Sequence, residues 1–420
     1  MKSRFVISLP LVFLLGSLLL LGGCGGSSST SNPGGNTVTP PGDNVAQVTV
    51  NAGPPELASV GGSVNTAYTS VQICVPGTST CQTINYVAVD TGSEGLRILA
   101  SKVTLSLPTG SNGSGNALAE CNQFVDGYTW GPVQVADISI PGTNEKASSV
   151  PIQVVDDSGS FTGAPVSCTQ GSAGSDNSVV GLAAYAILGI GNFRQDCGGA
   201  CTLPGNNGNN PGLYYLCPNG ICNVTGVPIV NQVQNPVALF STDNNGSILE
   251  FPTIDPAGVA SVSGSLVFGI GTQSNNALGS AAQLTLDPSG SFTTVFGVAK
   301  NQYPGSFVDS GSNGLYFLDQ SMDGIPQCQS NSSFYCPTAI QNLSATNQGL
   351  NGANSTVNFS VANAENLSAS FYAFNDIAGI NDNPPAFDFG LPFFFGRNVY
   401  TGLEGVNGGQ PTGTGQYVAY

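Results

Sequence analysis

Val89-Asp90-Thr91-Gly92-Ser93-Glu94-Gly95-Leu96 and Val308-Asp309-Ser310-Gly311-Ser312-Asn313-Gly314-Leu315 are one phrase written twice, with the two aspartates 219 residues apart. Each copy follows an apolar run of β type, Tyr86-Val87-Ala88-Val89 in the first and Ser306-Phe307-Val308 in the second. Each is followed by a further shared leucine, Leu99 and Leu318. A repeat of this length, centred on one aspartate in each half, predicts two related lobes that bring Asp90 and Asp309 together. Like charges about 3 Å apart do not both ionise cheaply, so such a pair shares one proton. The pair is then an acid and a base at once, as activating water against an amide requires.

Composition narrows the chemistry. The chain has no histidine, which excludes Ser-His-Asp, Cys-His and histidine-ligated zinc mechanisms. Hydrolysis would need carboxylates, a lysine or a metal held by oxygens. Lys and Arg number 8 against 24 Asp and Glu, a net charge of −16 that becomes −18 once Lys2 and Arg4 leave with the leader. Phosphate binding needs clustered basic residues, and none exist here, so nucleic acid is excluded as a partner. Few charges, abundant Gly, Ser, Thr and Asn, and a pI near 4.1 fit a secreted β protein that tolerates acid. No cofactor and no metal are expected. Asp156-Asp157 and Asp243 read as solvated turns rather than calcium ligands.

Residues 1–24 read as a targeting segment. Lys2 and Arg4 precede an apolar stretch from Val6 to Leu21 that is short for a membrane span. It ends in Leu21-Gly22-Gly23-Cys24, which resembles a bacterial lipobox in which Cys24 is lipidated and becomes the new N-terminus. Gly25 after the cysteine resembles an outer-membrane sorting pattern, if the envelope has two membranes. Residues 25–45, rich in Gly, Ser, Asn and Pro, read as a flexible tether. Ten cysteines remain after Cys24, an even number that reads as disulfides in an exported chain. Short loops suggest Cys74–Cys81 and Cys328–Cys336, and Cys121–Cys168 would tie down the first lobe. Cys197, Cys201, Cys217 and Cys222 pair among themselves in an order the spacing leaves open.

Short runs rich in Val, Ile, Thr and Phe recur, among them Ala46–Val50, Val71–Cys74, Ile84–Val89, Pro132–Ile140, Val150–Val155, Gly264–Phe268, Phe292–Val298 and Val357–Val361. Turn residues bound them, which predicts strands. Helical pieces are brief: around Ala183–Ala186, from Leu315 to Asp319 towards Met322, and Pro337–Asn342. The chain is therefore all-β with short helices. A second echo supports the first. Tyr185-Ala186-Ile187-Leu188-Gly189-Ile190-Gly191 follows the first aspartate loop, and Phe387-Asp388-Phe389-Gly390-Leu391-Pro392-Phe393-Phe394 follows the second. A glycine inside a buried strand marks a close backbone approach.

On these residues the chain resembles the pepsin-type aspartic proteases over most of positions 46–420, and it also resembles a group of uncharacterised bacterial lipoproteins. The resemblance implies a bilobal double β-barrel, with an N-terminal lobe at 46–232 and a C-terminal lobe at 233–420. Ile187, Leu188 and Gly189, and Phe389 and Gly390, would form the strands that pass behind the two loops in a ψ shape. Asp90 and Asp309 would hold the attacking water. Gly92 and Gly311 amides would donate to the inner carboxylate oxygens, and Ser93 and Ser312 hydroxyls would bond the outer ones. Thr91 and Ser310 would cross-link the loops.

Two departures stand out. The family's flap hairpin corresponds to residues 119–131, shorter here and pinned at Cys121. Its usual tyrosine is not recognisable, since Tyr128 falls in the returning strand. The tryptophan seven residues after the first aspartate is Arg97, a cation that would hold the pair more ionised. Tyr128, Trp130 and Arg97 are candidates for the flap or cleft, with a core or hairpin role the alternative for Tyr128 and Trp130. The implied function is a membrane-anchored aspartic endopeptidase, monomeric and exported, acting on extended peptides in acid. The alternative is a non-catalytic surface lipoprotein on the same scaffold that binds peptides or glycans.

Overall fold

The computed structural model describes residues 38–113, 117–172, 174–297, 299–317, 324–381, 386–405 and 415–420. The leader, its candidate lipidation site Cys24, tether residues 25–37, Leu318 and the expected helix towards Met322 lie outside them.

Strands form where side chains alternate between interior and surface. In Ala67–Cys74, Val71 and Ile73 are fully buried while Ser70 and Gln72 are half-buried. Among the described residues the strands build two sheets, one of fifteen strands and one of seven. The fold is all-β, two barrel-like sheets with few short helices. Val45–Val50 lies antiparallel between Ala67–Cys74 and Val262–Phe268, so a single sheet runs from the first half of the chain into the second. Ala67–Cys74 also pairs with Tyr128–Ser139, which curls the first half into a barrel.

The smaller sheet carries the second aspartate loop. Its middle strands are Phe292–Phe296, Asn301–Val308, Asp388–Phe389 and Leu315–Phe317. An aromatic cluster underlies them. Phe317 stacks on Phe387 at 5.0 Å, and Phe296, Phe359 and Phe389 pack around that pair. Burying each ring stabilises the fold by about 1.5–3 kcal/mol, which fixes the strand that ends at Asp309. Phe393, Phe394 and Phe395 are buried as well.

The helical expectations need correction. The helix expected around Ala183–Ala186 lies earlier, at Val179–Leu182. The Ser178 hydroxyl oxygen caps it, Ala183 ends it in a left-handed conformation, and Ala186 already begins a strand. Leu315–Phe317 is a strand, because pairing with Asp388–Phe389 and Ala378–Ile380 satisfies its backbone on both sides. Pro337–Asn342 is a bend running into the strand Gln341–Gln348.

Five disulfides form. Cys74–Cys81 and Cys328–Cys336 pair as their short loops suggested, Cys121–Cys168 forms as expected, and the remaining four resolve into Cys197–Cys201 and Cys217–Cys222. Five such bonds belong to an oxidising, exported environment. No helix among the described residues is long and apolar enough to cross a membrane.

Candidate active site

Asp90 ends the strand Cys81–Asp90, and Asp309 follows directly on Asn301–Val308. The two are 2% and 1% exposed. Each carboxylate is held in the same way. The Gly92 N–H donates to Asp90 Oδ1 at 2.8 Å, and the Ser93 hydroxyl donates to Oδ2 at 2.5 Å. The Gly311 N–H donates to Asp309 Oδ1 at 2.9 Å, and the Ser312 hydroxyl lies 3.1 Å from Oδ2. The loops are then tied to each other. Thr91 N–H donates to Ser310 Oγ at 3.0 Å, and Ser310 N–H donates to Thr91 Oγ1 at 2.9 Å. The Ser310 hydroxyl continues to the Val89 carbonyl at 2.8 Å. A Cβ on Gly92 would fall 2.2 Å from Asp309 Oδ1, so the second carboxylate rests on the backbone of the first loop.

The glycine strands explain why the loops sit there. Ile187, Leu188 and Gly189 run in Ala186–Ile190, parallel to the first aspartate strand with Gly189 opposite Asp90. The same strand runs antiparallel to Glu94–Leu99, with Gly189 opposite Gly95. In the second half Phe389 pairs with both Val308 and Leu315, and Asp309 N–H donates to the Phe389 carbonyl at 3.0 Å. A side chain at Gly189 would meet the Glu94 backbone at 2.7 Å, and one at Gly390 would meet the Gly314 carbonyl at 2.1 Å. Each loop is therefore wrapped by a strand that passes too close for any residue but glycine.

A cleft of about 460 Å³ opens beside the two loops, with Thr91, Phe193, Phe307 and Val308 in its wall. Phe124 and Val125 also line it, from the tip of the hairpin formed by Leu118–Gln123 and Tyr128–Ser139. Phe124 N–H donates to the Gly127 carbonyl at 2.7 Å and closes a four-residue tip. The disulfide Cys121–Cys168 ties down the hairpin's first strand.

The structure places the three flap or cleft candidates away from the cleft, and for Trp130 and Tyr128 it takes the core or hairpin alternative. Trp130 is 2% exposed; its indole N–H donates to the Thr162 carbonyl at 2.6 Å and its ring meets Tyr215 edge-on at 5.3 Å. It belongs to the interior of the first lobe. Tyr128 packs against the same cluster. Arg97 is fully buried, with Nη2 2.6 Å from Glu120 and 3.3 Å from Asp196, and Nη1 donating to the Glu94 carbonyl at 2.6 Å. Burial alone would lower the guanidinium pKa, but the two carboxylates outweigh it and hold it above the usual value. Burial and then the neighbouring Glu120 push the Asp196 carboxyl well up. The Arg97 charge is thus compensated where it stands and does not act as a free cation on the dyad.

Over residues 40–420 the chain matches the family described as protein of unknown function, DUF3443. The chain belongs to that family. No curated protein matches it. Among solved structures it is similar to the crystal structure of aspartic proteinase from Irpex lacteus, at 16% identity, 89% coverage of this chain, 96% of that chain and a TM-score of 0.49.

Two site residues of this DUF3443 member escaped the sequence reading. Asn65, fully buried at φ 53°, donates through Nδ2 to the carbonyls of Asn313 and Phe374 at 2.8 and 2.9 Å, and Oδ1 accepts from Phe374 N–H at 2.8 Å. It ties an early loop to the second aspartate loop. Asp388 stands in the second glycine strand, 2% exposed, with Oδ2 2.6 Å from the Ser312 hydroxyl. Its signal was a carboxylate between Phe387 and Phe389, where the first half has Ile187. Asp156 accepts from the Ser160 and Phe161 amides and Asp157 from Ser101, as turn residues do. Asp243 departs from the solvated-turn expectation: it is 3% exposed and accepts from Thr272 and Gln273. Cys328, Cys336 and Glu365 converge, but the two sulfurs are joined in a disulfide, which leaves one carboxylate to offer a metal.

Proposed function

We propose that this protein is an aspartic endopeptidase, exported and held at the cell envelope by a lipid on Cys24, that hydrolyses extended peptides with Asp90 and Asp309. The observation that carries this reading is the reciprocal Thr91–Ser310 cross-link that sets the Asp309 carboxylate against Gly92, beside the carboxylate of Asp90. Two acids buried side by side cost stability, and such costs concentrate at functional sites. A water held between them loses a proton to the ionised carboxylate as its oxygen attacks the peptide carbonyl. The protonated partner gives its proton to the carbonyl oxygen, forming a gem-diol. Collapse of the gem-diol breaks the C–N bond, the amine leaves with a proton, and the dyad returns to a single shared proton. The peptide would lie extended in the cleft and bond through its main chain. The protein would act as a monomer, and in an envelope with two membranes the outer one would carry it.

One observation favours the alternative, a peptide- or glycan-binding lipoprotein on this scaffold. The hairpin tip is four residues long and its base is disulfide-bonded, which limits closure over a substrate. Degradation of an unfolded, fluorescently labelled protein decides between them, using the full chain in detergent from about pH 3 to 7. Cleavage that peaks in acid and is lost in both Asp90→Asn and Asp309→Asn supports the peptidase. A folded, disulfide-intact protein that cleaves nothing across that range leaves the binding module.

A further inference from the structure

The Ser312 hydroxyl stands between two buried carboxyl groups. Its oxygen is 2.6 Å from Asp388 Oδ2 and 3.1 Å from Asp309 Oδ2. A hydroxyl carries one proton, and an ionised carboxylate only accepts. Ser312 therefore cannot donate to both, and one of the two contacts needs a proton that sits on a carboxyl. Without it, two acceptor oxygens would face each other at hydrogen-bonding distance in the interior, where unmatched polar atoms are costly. The first half has no counterpart. There Ser93 donates to Asp90, and the residue two places before the strand glycine is Ile187, which is apolar.

We propose that Asp388 is a positioning residue for the dyad: it carries a proton, donates it to Ser312 Oγ, and so leaves the Ser312 hydroxyl free to donate to Asp309. The effect on catalysis rests on the peptidase reading; the place of the proton does not. When Asp388 ionises, its proton goes to solvent and no bond between heavy atoms changes. The Ser312 proton then turns to Asp388, the nearer acceptor. Asp309 loses a donor and gains a like charge close by, and both changes disfavour its ionised form. The dyad proton settles on Asp309, and the final deprotonation of the pair moves to higher pH. Ionisation of Asp388 thus gives the two carboxyls unequal roles, whereas its protonated form leaves them held alike by Ser93 and Ser312. The titratable groups on the elements around it are Asp309 and Tyr303 on the Asn301–Val308 side, and Tyr316, its register partner, whose hydroxyl donates to Asn313 Oδ1 at 2.5 Å. Asp90 lies beyond, across the loop cross-link.

The test compares the full chain with Asp388→Asn by infrared spectroscopy. At about pH 6, where ordinary carboxyls are ionised, Glu145, Asp196 and the dyad still hold protons, so the readout is the difference spectrum: unmodified protein minus Asp388→Asn should leave one protonated-carboxyl carbonyl band. A difference spectrum without that band overturns the proposal. Should that variant fail to fold, Ser312→Ala serves instead: removing the bridge should shift the pH at which the band titrates, and an unmoved band overturns the proposal. Asparagine keeps a donor to Ser312 but not the charge. The alkaline limb of kcat/KM in Asp388→Asn should therefore move about one pH unit lower, a roughly tenfold loss on that limb, and Asp388→Glu should restore it. An unmoved limb overturns the catalytic effect. If the unmodified protein cleaves no peptide at all, the peptidase reading fails, and the infrared comparison still decides where the proton sits.

Discussion

Replacing Glu145 by Gln should stabilise this protein at pH 8 and leave it nearly unchanged at pH 4. Glu145 sits at the turn between Tyr128–Ser139 and Lys146–Val155 and is 2% exposed. Burial first, then the charge of Asp243 and a hydrogen bond with it, raise its carboxyl from 4.5 to about 7. In the unfolded chain the same carboxyl gives up its proton near 4.5. Between those two values the folded protein binds more protons than the unfolded one, so stability falls as pH rises. The penalty is absent below pH 4.5 and complete above pH 7, where it reaches about 3 kcal/mol at most. Glutamine removes the charge and offers Asp243 an N–H. Denaturant midpoints at pH 4 and pH 8 measure the difference, with about 2 kcal/mol expected at pH 8. An equal gain at both pH values would mean that packing, not charge, is responsible, and would refute the reasoning.

Asp376 follows the same sign: burial raises it from 3.8 to about 6, so Asp376→Asn should stabilise the fold by about 2 kcal/mol at pH 7 and little at pH 4, read from the same titration. Gly92→Ala drives a methyl group into the Asp309 carboxylate; peptidase activity should drop about 100-fold while the far-ultraviolet circular dichroism is retained, and undiminished turnover would contradict the loop geometry. Arg97→Met strips the cation from Glu120 and Asp196 and should cost about 3–5 kcal/mol at neutral pH. In acid the cost should shrink, because the carboxyls left behind can be protonated, and equilibrium denaturation at the two pH values checks it.

The parts of the site that were readable in the sequence are those built from contiguous phrases. The two Asp-(Thr/Ser)-Gly-Ser loops and the strands bearing Gly189 and Gly390 announce themselves because close backbone packing allows few residues. Partners distant in the chain carry no such mark. Nothing around Asn65 points to Asn313, and Arg97 gives no sign of Glu120 and Asp196. For Trp130 the sequence left cleft and core open, because its position in the hairpin fixes its strand but not the face it presents. Leu315–Phe317 looks helical by local composition, yet neighbours on both sides make it a strand. Asp388 was visible as an oddity, but its meaning needed the position of Ser312.

The strand Val45–Val50 also bears on how the chain can be made. Val45 ends up opposite Val267, so the earliest strand among the described residues has a partner that is synthesised far later. Until then one of its edges is unpaired, the condition that invites association with other chains. Contacts between such distant positions also slow folding. The first half therefore cannot complete its own sheet in isolation, and a chain cut after Ile190 and before Val262 should leave two fragments that each expose a raw edge.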